Sequence, residues 1–186
     1  SLRWVVVSGQ TKLVSSSFDR TIVVWGLSSS RRLEFERELQ DQTCPSCHQT
    51  AGGNTAHAGG VTATASVGGL LVSGSEDGTI KLWDLRNSDA PHLCVEHDHG
   101  ICSLVCIPQD EHDAAKATPW KLAFGSGDNT IVICNVQDGK GEVLATLRGH
   151  SGIVNALHWV ESRGWLVSAS ADTTVRVWRV NTDTGA

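Results

Sequence analysis

The sequence predicts an all-β fold built from four repeated β-hairpins, and three observations support this prediction. Four segments align without gaps, at residues 12–25, 70–83, 121–134 and 165–178. Each segment has an Asp near its centre, between two runs in which apolar residues recur at every second position. The residues around this Asp are mostly small or polar, as is typical of a tight turn. Each segment is therefore predicted to form a strand, a turn and a second strand.

The residues at each turn repeat at fixed distances from the Asp. The four aspartates are Asp19, Asp77, Asp128 and Asp172. A Ser lies two residues before each Asp, and a Thr lies two residues after it. Six residues after the Asp, the repeats end in Trp25, Trp83, Cys134 and Trp178. The same turn chemistry and the same strand ending therefore occur in all four repeats, except for the Cys in the third.

A second repeated element lies before the later hairpins. The segment "GHSGIVNALHW" (149–159) aligns with "EHDHGICSLVC" (96–106) and, more loosely, with "AHAGGVTATAS" (56–66). Its histidines are His57, His97 and His150. Before the first hairpin, "SLRW" aligns with the end of this element, so that Trp4 corresponds to Trp159. This element adds a further predicted strand to each repeat.

The His element, the Asp turn and the terminal Trp together resemble the WD-repeat β-propeller family, over nearly the whole chain outside two insertions. The resemblance implies one partial propeller domain over 1–186, with about four blades. Each blade would be an antiparallel sheet of four strands, a to d from the central channel outward. The expected boundaries are 1–40 for blade 1 with an insertion at 41–56, 57–96 for blade 2, 97–147 for blade 3 with an insertion at 108–119, and 148–186 for blade 4.

The resemblance also implies a structural hydrogen-bond network in each blade. It would join the Trp of strand c, the Ser of strand b, the Asp of the b–c turn and the His before strand a. The residues at these positions are Ser15, Asp19, Trp25, His57, Ser73, Asp77, Trp83, His97, Asp128, His150, Ser168, Asp172 and Trp178. Blade 3 has Phe124 and Cys134 in place of the Ser and the Trp, so only His97 and Asp128 are expected to pair there.

The chain is expected to be part of a larger propeller. Members of this family most often have seven blades, whereas this sequence has four repeats and no Met. It begins in strand a of blade 1, and blade 4 is expected to lack its outer strand. We expect the rest of the propeller to come from the same protein outside this sequence or from another chain.

In blade 1, Leu33, Phe35 and Leu39 predict an outer strand near 32–39, with a short helix as the alternative.

The predicted function is that of a non-catalytic scaffold that binds protein partners, such as peptides or complex subunits. In this family the b–c turns and the d–a loops lie on one face, the top face. We predict that partners bind there, through the residues that flank the turns or follow the histidines. These are Phe18, Arg20, Glu76, Asp98, His99, Asn129, Ser151 and Thr173. No catalytic residue and no cofactor is predicted, because Ser, His and Asp recur in several blades as parts of the network.

The alternative function is a zinc-binding module in the first insertion. "CPSCH" (44–48) places Cys44 and Cys47 at a spacing found in zinc sites and in haem attachment sites. A haem site would also need a haem pocket and an export route, and the sequence offers neither. A zinc site needs four ligands, and His48 directly adjoins Cys47, which makes it a poor partner for the same ion. Two free thiols in a polar loop are therefore the preferred interpretation.

Composition restricts the remaining classes of function. The net charge of −5 does not suggest a basic surface for direct binding of nucleic acid. No apolar run approaches the roughly 18 residues of a membrane span. The six cysteines mostly lack disulfide-like spacing, which favours reduced thiols and an intracellular location, in the cytoplasm or the nucleus.

Overall fold

The computed structural model describes residues 1–41, 55–67, 69–86, 91–107, 120–137 and 140–180. These residues form four antiparallel sheets and a 3-10 helix at Glu161–Arg163. Each sheet follows the chain order of its strands, so every connection within a sheet joins neighbouring strands. No helix among the described residues has the length and apolarity that a membrane span requires. The predicted all-β class is therefore confirmed.

The strands group into four blades in the order of the repeats. Blade 1 contains β1 (Leu2–Val7), β2 (Gln10–Ser16), β3 (Ile22–Leu27) and β4 (Leu33–Leu39). Blade 2 contains β5 (Val61–Val67), β6 (Leu70–Ser75), β7 (Thr79–Asp84) and β8 (His92–Glu96). Blade 3 contains β9 (Ile101–Ile107), β10 (Trp120–Ser126), β11 (Ile131–Gln137) and β12 (Lys140–Leu147). Blade 4 contains β13 (Val154–Val160), β14 (Trp165–Ser170) and β15 (Val175–Arg179).

The outer strand of blade 1 decides between two interpretations of the sequence. Leu33–Leu39 forms β4 and pairs with β3 along its length, so the helical alternative is wrong. The β3–β4 register shifts between Val24 and Trp25, and the β11–β12 register shifts between Ile133 and Cys134. Such shifts increase the local twist of a sheet. Blades 1 and 3 are therefore bent at corresponding points of their outer strand pairs.

The apolar core lies between neighbouring blades. Ile22 and Leu39 of blade 1 belong to one buried cluster with Val61 and Trp83 of blade 2. A second cluster joins blades 2 and 3, and a third joins blades 3 and 4. Because burial of apolar area is the main favourable contribution to folding, each blade depends on its neighbours for stability. The cores also fix how the loops of one blade face those of the next.

Apolar side chains are exposed at both ends of this row of blades. On β1 of blade 1, Leu2, Trp4 and Val6 are 69%, 55% and 60% exposed. On β15 of blade 4, Val175 and Val177 are 67% and 58% exposed. Residues at every second position of a strand lie on the same face, so each strand presents one apolar face. Among the described residues the blades thus form an open, partial propeller.

The four b–c turns share one backbone geometry. The residue after the Asp has a positive φ in every turn: Arg20 (74°), Gly78 (80°), Asn129 (71°) and Thr173 (68°). Its N–H donates to the carbonyl oxygen of the Ser three residues earlier, at 3.1–3.2 Å. A turn closed in this way and followed by a left-handed residue is a common hairpin connection. The left-handed position favours glycine, yet only blade 2 has one there.

We predict that Thr173→Gly stabilises the protein by about 1 kcal/mol. A β-branched residue at positive φ carries strain of about 1–3 kcal/mol, which glycine would relieve. The greater conformational freedom of glycine in the unfolded chain cancels a part of this gain. Gly78→Ala is the matched control and should destabilise, because a Cβ there would lie 2.2 Å from the backbone oxygen of His97. Urea unfolding midpoints measure both effects. A lower midpoint for Thr173→Gly would contradict the assignment of strain.

Candidate functional site

Blades 2 and 4 each contain a chain of hydrogen bonds from indole to carboxylate, which is buried at its Ser–His step. In blade 2, Trp83 Nε1 donates to Ser73 Oγ at 2.9 Å, and Ser73 Oγ lies 2.7 Å from His57 Nε2. The other ring nitrogen, His57 Nδ1, lies 2.9 Å from Thr79 Oγ1 and 3.3 Å from Asp77 Oδ2. These contacts connect strands b and c with the turn between them and with the loop before strand a.

Blade 4 repeats this arrangement with similar distances. Trp178 Nε1 donates to Ser168 Oγ at 2.8 Å, and Ser168 Oγ lies 2.7 Å from His150 Nε2. His150 Nδ1 lies 2.7 Å from Asp172 Oδ2. The structure thus brings together four of the predicted residues in each of blades 2 and 4.

The contacts in blade 2 fix which ring nitrogen of His57 carries the proton. The Thr79 hydroxyl donates to Asp77 Oδ1 at 2.6 Å, so Thr79 Oγ1 can only accept from His57 Nδ1. An ionised carboxylate also only accepts. Nδ1 is therefore the donor, and Nε2 of the neutral ring accepts the hydroxyl proton of Ser73. Every hydrogen bond then runs in one direction, from Trp83 through Ser73 and His57 towards Asp77.

Blade 1 has a shorter version of the network. Trp25 Nε1 donates to Ser15 Oγ at 2.9 Å, as in blades 2 and 4. Asp19 Oδ1 accepts from the backbone N–H of Thr21 at 3.0 Å and from its hydroxyl at 2.6 Å. Among the described residues, the Trp–Ser contact and the Asp turn form separately in this blade.

Blade 3 differs in the contacts of its His. Phe124 is fully buried at the position of Ser73 and Ser168, and its ring centre lies 5.4 Å from that of His97. His97 Nε2 bonds to Ser126 Oγ at 3.0 Å and lies 3.8 Å from Asp128 Oδ2. His97 thus lies within ion-pair distance of Asp128, the partner that the sequence suggested, and its hydrogen bond goes to Ser126.

All four turn aspartates are hydrogen-bonded in a way that favours the charged carboxylate. In each turn, Oδ1 accepts from the backbone N–H and the hydroxyl of the Thr two residues later. For Asp77, burial opposes ionisation, but hydrogen bonds from His57 and Thr79 outweigh it and hold the pKa well below its usual range. For Asp172, the hydrogen bond from Thr174 has the largest effect and also lowers the pKa strongly. The carboxylates therefore stay charged and keep the turns closed.

The predicted partner-binding residues lie on the loops that these networks hold. The exposed ones are Phe18, Glu76, Asp98, His99, Ser151 and Thr173, whereas Arg20 and Asn129 are partly buried at the left-handed positions. Phe18 of blade 1 and Glu76 of blade 2 come together above Gly60. A Cβ on Gly60 would lie 2.7 Å from Phe18 Cδ1 and 2.9 Å from Glu76 Oε2. Ser151 and Thr173 belong to blade 4, on the loops around His150 and Asp172.

One buried ion pair was not predicted from the sequence. Lys81 Nζ lies 2.6 Å from Asp41 Oδ2 and donates to the backbone oxygen of Ala56 at 2.9 Å. Asp41 N also donates to Thr55 O at 3.1 Å, so residues on both sides of 42–54 are held together. A Lys in an alternating strand normally indicates a solvent-facing position. In the sequence, only the apolar residues on either side of Lys81 indicated that this strand is buried on both faces.

Two of the sequence predictions concern residues that the structure does not describe. Cys44 and Cys47 lie in 42–54, and the second insertion lies at 108–119. The zinc alternative at the two cysteines thus remains a prediction.

Comparison with known proteins identifies relatives of this chain. The family model "WD domain, G-beta repeat" matches residues 47–84 and 141–179. Nuclear distribution protein PAC1-2 from Uncinocarpus reesii is 31% identical over 185 residues, covering 92% of this chain and 36% of that protein. Elongator complex protein 2 from Danio rerio is 28% identical over 190 residues, covering 96% of this chain and 20% of that protein. The chain thus spans about a third of the length of the first relative and a fifth of the length of the second.

A solved structure with the same fold is that of the computationally designed Ika4 protein. It matches with a TM-score of 0.63 at 24% identity, over 91% of this chain and 86% of that chain. At this level of identity the likeness shows the fold alone.

We predict that Trp83→Ala destabilises the protein by about 3–5 kcal/mol, because it removes a fully buried ring. Asp77→Ala should cost less, about 1–3 kcal/mol, through the donors that it leaves without an acceptor. Cys134→Ala, at the corresponding position in blade 3, is the control and should be milder than Trp83→Ala because it removes a single sulfur atom. Denaturant midpoints compare the three variants. Equal losses for Trp83→Ala and Cys134→Ala would contradict this role of the indole.

We also predict that acid weakens the protein partly through His57. Burial lowers the pKa of this imidazole below its usual value of 6.5, against the opposing effect of Asp77. The folded state therefore binds a proton at His57 less readily than the unfolded chain does. The stability from neutral His57 is fully present above about pH 6.5 and is lost as the pH falls through the lower folded pKa.

The test compares urea midpoints of the wild type and His57→Gln between pH 7 and pH 5. The variant starts from a lower stability but should lose less of it over this range. Equal losses in the two proteins would exclude His57 as a source of the acid sensitivity.

Proposed function

We propose that this chain, which belongs to the WD-repeat β-propeller family, is a non-catalytic scaffold that binds protein partners through its top-face loops. The top face comprises the b–c turns and the loops that begin at His57, His97 and His150. The observation that carries this proposal is that buried hydrogen bonds hold these loops while their tips stay exposed. A rigid framework with exposed side chains reduces the entropy lost on binding.

The strongest candidate contact surface crosses the boundary between blades 1 and 2. Phe18 is 71% exposed and lies beside the carboxylate of Glu76, above Gly60. Exposed aromatic side chains are enriched in the central parts of protein interfaces. In a partner peptide, an apolar side chain would match the ring of Phe18, and a basic side chain after it would match the charge of Glu76. We therefore propose Phe18 and Glu76 as the first contacts for a peptide segment of a partner.

The burial of the Ser–His pairs supports a non-catalytic role. Ser73 and His57 are fully buried, and Ser168 is fully buried against His150. A nucleophile must reach its substrate, whereas these hydroxyl groups are enclosed and already accept an indole N–H. The same pair also occurs in two blades, as a structural element does.

The exposed faces of blades 1 and 4 support membership in a larger assembly. Trp4 on β1 and Val175 on β15 belong to two apolar faces that further strands could cover. We propose that these faces pack against further propeller strands from the same protein or another chain. The six cysteines mostly lack disulfide-like spacing, which supports an intracellular site of action, in the cytoplasm or the nucleus.

The test compares captured partners between variants of the full protein. Phe18→Ala and Glu76→Lys should each remove the same partners from an affinity capture analysed by mass spectrometry. Phe35→Ala is the matched control, because Phe35 is 64% exposed but lies on the outer strand of blade 1. Thermal melts should first establish that all three variants fold like the wild type. Partners that survive both top-face substitutions, or that Phe35→Ala removes equally, would overturn the proposal.

A further inference from the structure

Three potential metal ligands of blade 3 converge on the top face. His97, His99 and Asp128 each offer one ligand atom, and these atoms all lie within 4.8 Å of one another. We propose that the three residues bind one divalent transition-metal ion of the zinc class. This site is separate from Cys44 and Cys47 and is not required by the scaffold function proposed above. Two replacements and one further difference distinguish blade 3 from blades 2 and 4 and produce it.

The first replacement makes His97 accessible. In blades 2 and 4 the corresponding ring bonds to a buried Ser, and the side chains of His57 and His150 are 0% and 1% exposed. In blade 3, Phe124 occupies the place of that Ser, His97 Nε2 bonds to Ser126 of the turn instead, and the side chain of His97 is 22% exposed. The ring is thus displaced from the interior towards solvent, where an ion can reach it.

The second replacement adds a further imidazole. His99 lies two residues after the His of its loop, where blades 2 and 4 have Gly59 and Gly152. A Cβ on either glycine would lie 2.7 Å from the backbone N of the turn Asp, so this position excludes a side chain in those blades. Blade 3 carries an exposed His there, and the centre of its ring lies 6.0 Å from that of His97.

The third difference concerns the carboxylate. In blade 2, Asp77 Oδ2 accepts from the backbone N–H of Ala58 at 2.8 Å, and Asp172 is held by Ser151 in the same way at 3.0 Å. Within the described part of the chain, Asp128 has no such bond to the loop of His97. Its Oδ1 is fixed by Thr130, and its Oδ2 lies 3.8 Å from His97 Nε2. One oxygen is therefore oriented by the turn, and the other lies near the ring of His97.

The chemistry of this set matches zinc and related ions. Two imidazoles and one carboxylate are ligands that Zn²⁺ accepts, and sites with three protein ligands keep one position for water or another ligand. Bonds of about 2.0–2.2 Å place ligand atoms roughly 3–4 Å apart, so the set must contract slightly on binding. His99 is exposed and can supply that movement. The hydrogen bonds from Thr130 orient Asp128 from behind, as supporting residues do in metal sites.

The test measures metal binding by the full chain with Cys44→Ser and Cys47→Ser, which removes the two thiols of the alternative zinc site. Calorimetry with Zn²⁺ should show one ion per chain, and Co²⁺ should give visible absorption bands without thiolate charge transfer. His99→Gly and Asp128→Asn should each weaken Zn²⁺ binding at least about tenfold, since even supporting residues of metal sites contribute about 10–100-fold. His99→Gly introduces the residue that blades 2 and 4 have, so the loop should keep its fold.

The control is His158→Gln, which removes another exposed histidine on β13 and should leave the affinity unchanged. Three results would overturn the proposal. The first is the absence of saturable binding in the chain without Cys44 and Cys47. The second is equal affinity in the parent, His99→Gly and Asp128→Asn. The third is an equal loss of affinity in His158→Gln.

Discussion

The hydrogen bond between the serine of strand b and the indole of strand c is the contact on which the rest of this fold depends. Ser73 accepts from Trp83 and donates to His57, and His57 in turn donates towards the b–c turn. One hydroxyl group thus links strands b and c with the loop that precedes strand a of the same blade. Trp83, Ser73 and His57 are fully buried. Loss of a hydrogen-bond partner for any of them would therefore cost about 1–3 kcal/mol. The result is a fixed set of turns whose tips remain in solvent.

The same energetics explain why blade 3 changed in a coordinated way. Loss of the Ser alone would leave an indole N–H without an acceptor, and loss of the Trp alone would leave the hydroxyl with one partner fewer. Blade 3 has replaced both, with Phe124 and Cys134, and its core between blades 2 and 3 remains continuous. The His that these residues no longer enclose pairs with Ser126 and is partly exposed. A change in the interior of the blade thereby altered the chemistry of the top face.

Much of this fold could be predicted from the sequence, because the repeats carry their own signals. The Asp turns and the alternating strands are local features, and four copies in register fixed the blades and the Trp–Ser contacts. Contacts between distant segments could not be predicted. The pairing of Lys81 with Asp41 depends on how blade 2 packs against the end of blade 1. A periodic sequence pattern does not predict such packing. Nor could the meeting of His99 with Asp128 be predicted, since it requires the loop and the turn to face each other.

The central claim, that the serine and the indole act as one unit, can be tested by a double-mutant cycle. Urea unfolding would compare Ser73→Ala, Trp83→Phe and the double variant with the wild type. If the contact is as described, Ser73→Ala leaves a buried N–H without an acceptor, and Trp83→Phe relieves that penalty. We therefore expect the double variant to lose at least about 1 kcal/mol less stability than the sum of the single losses. Losses that add to within about 0.5 kcal/mol would contradict this account.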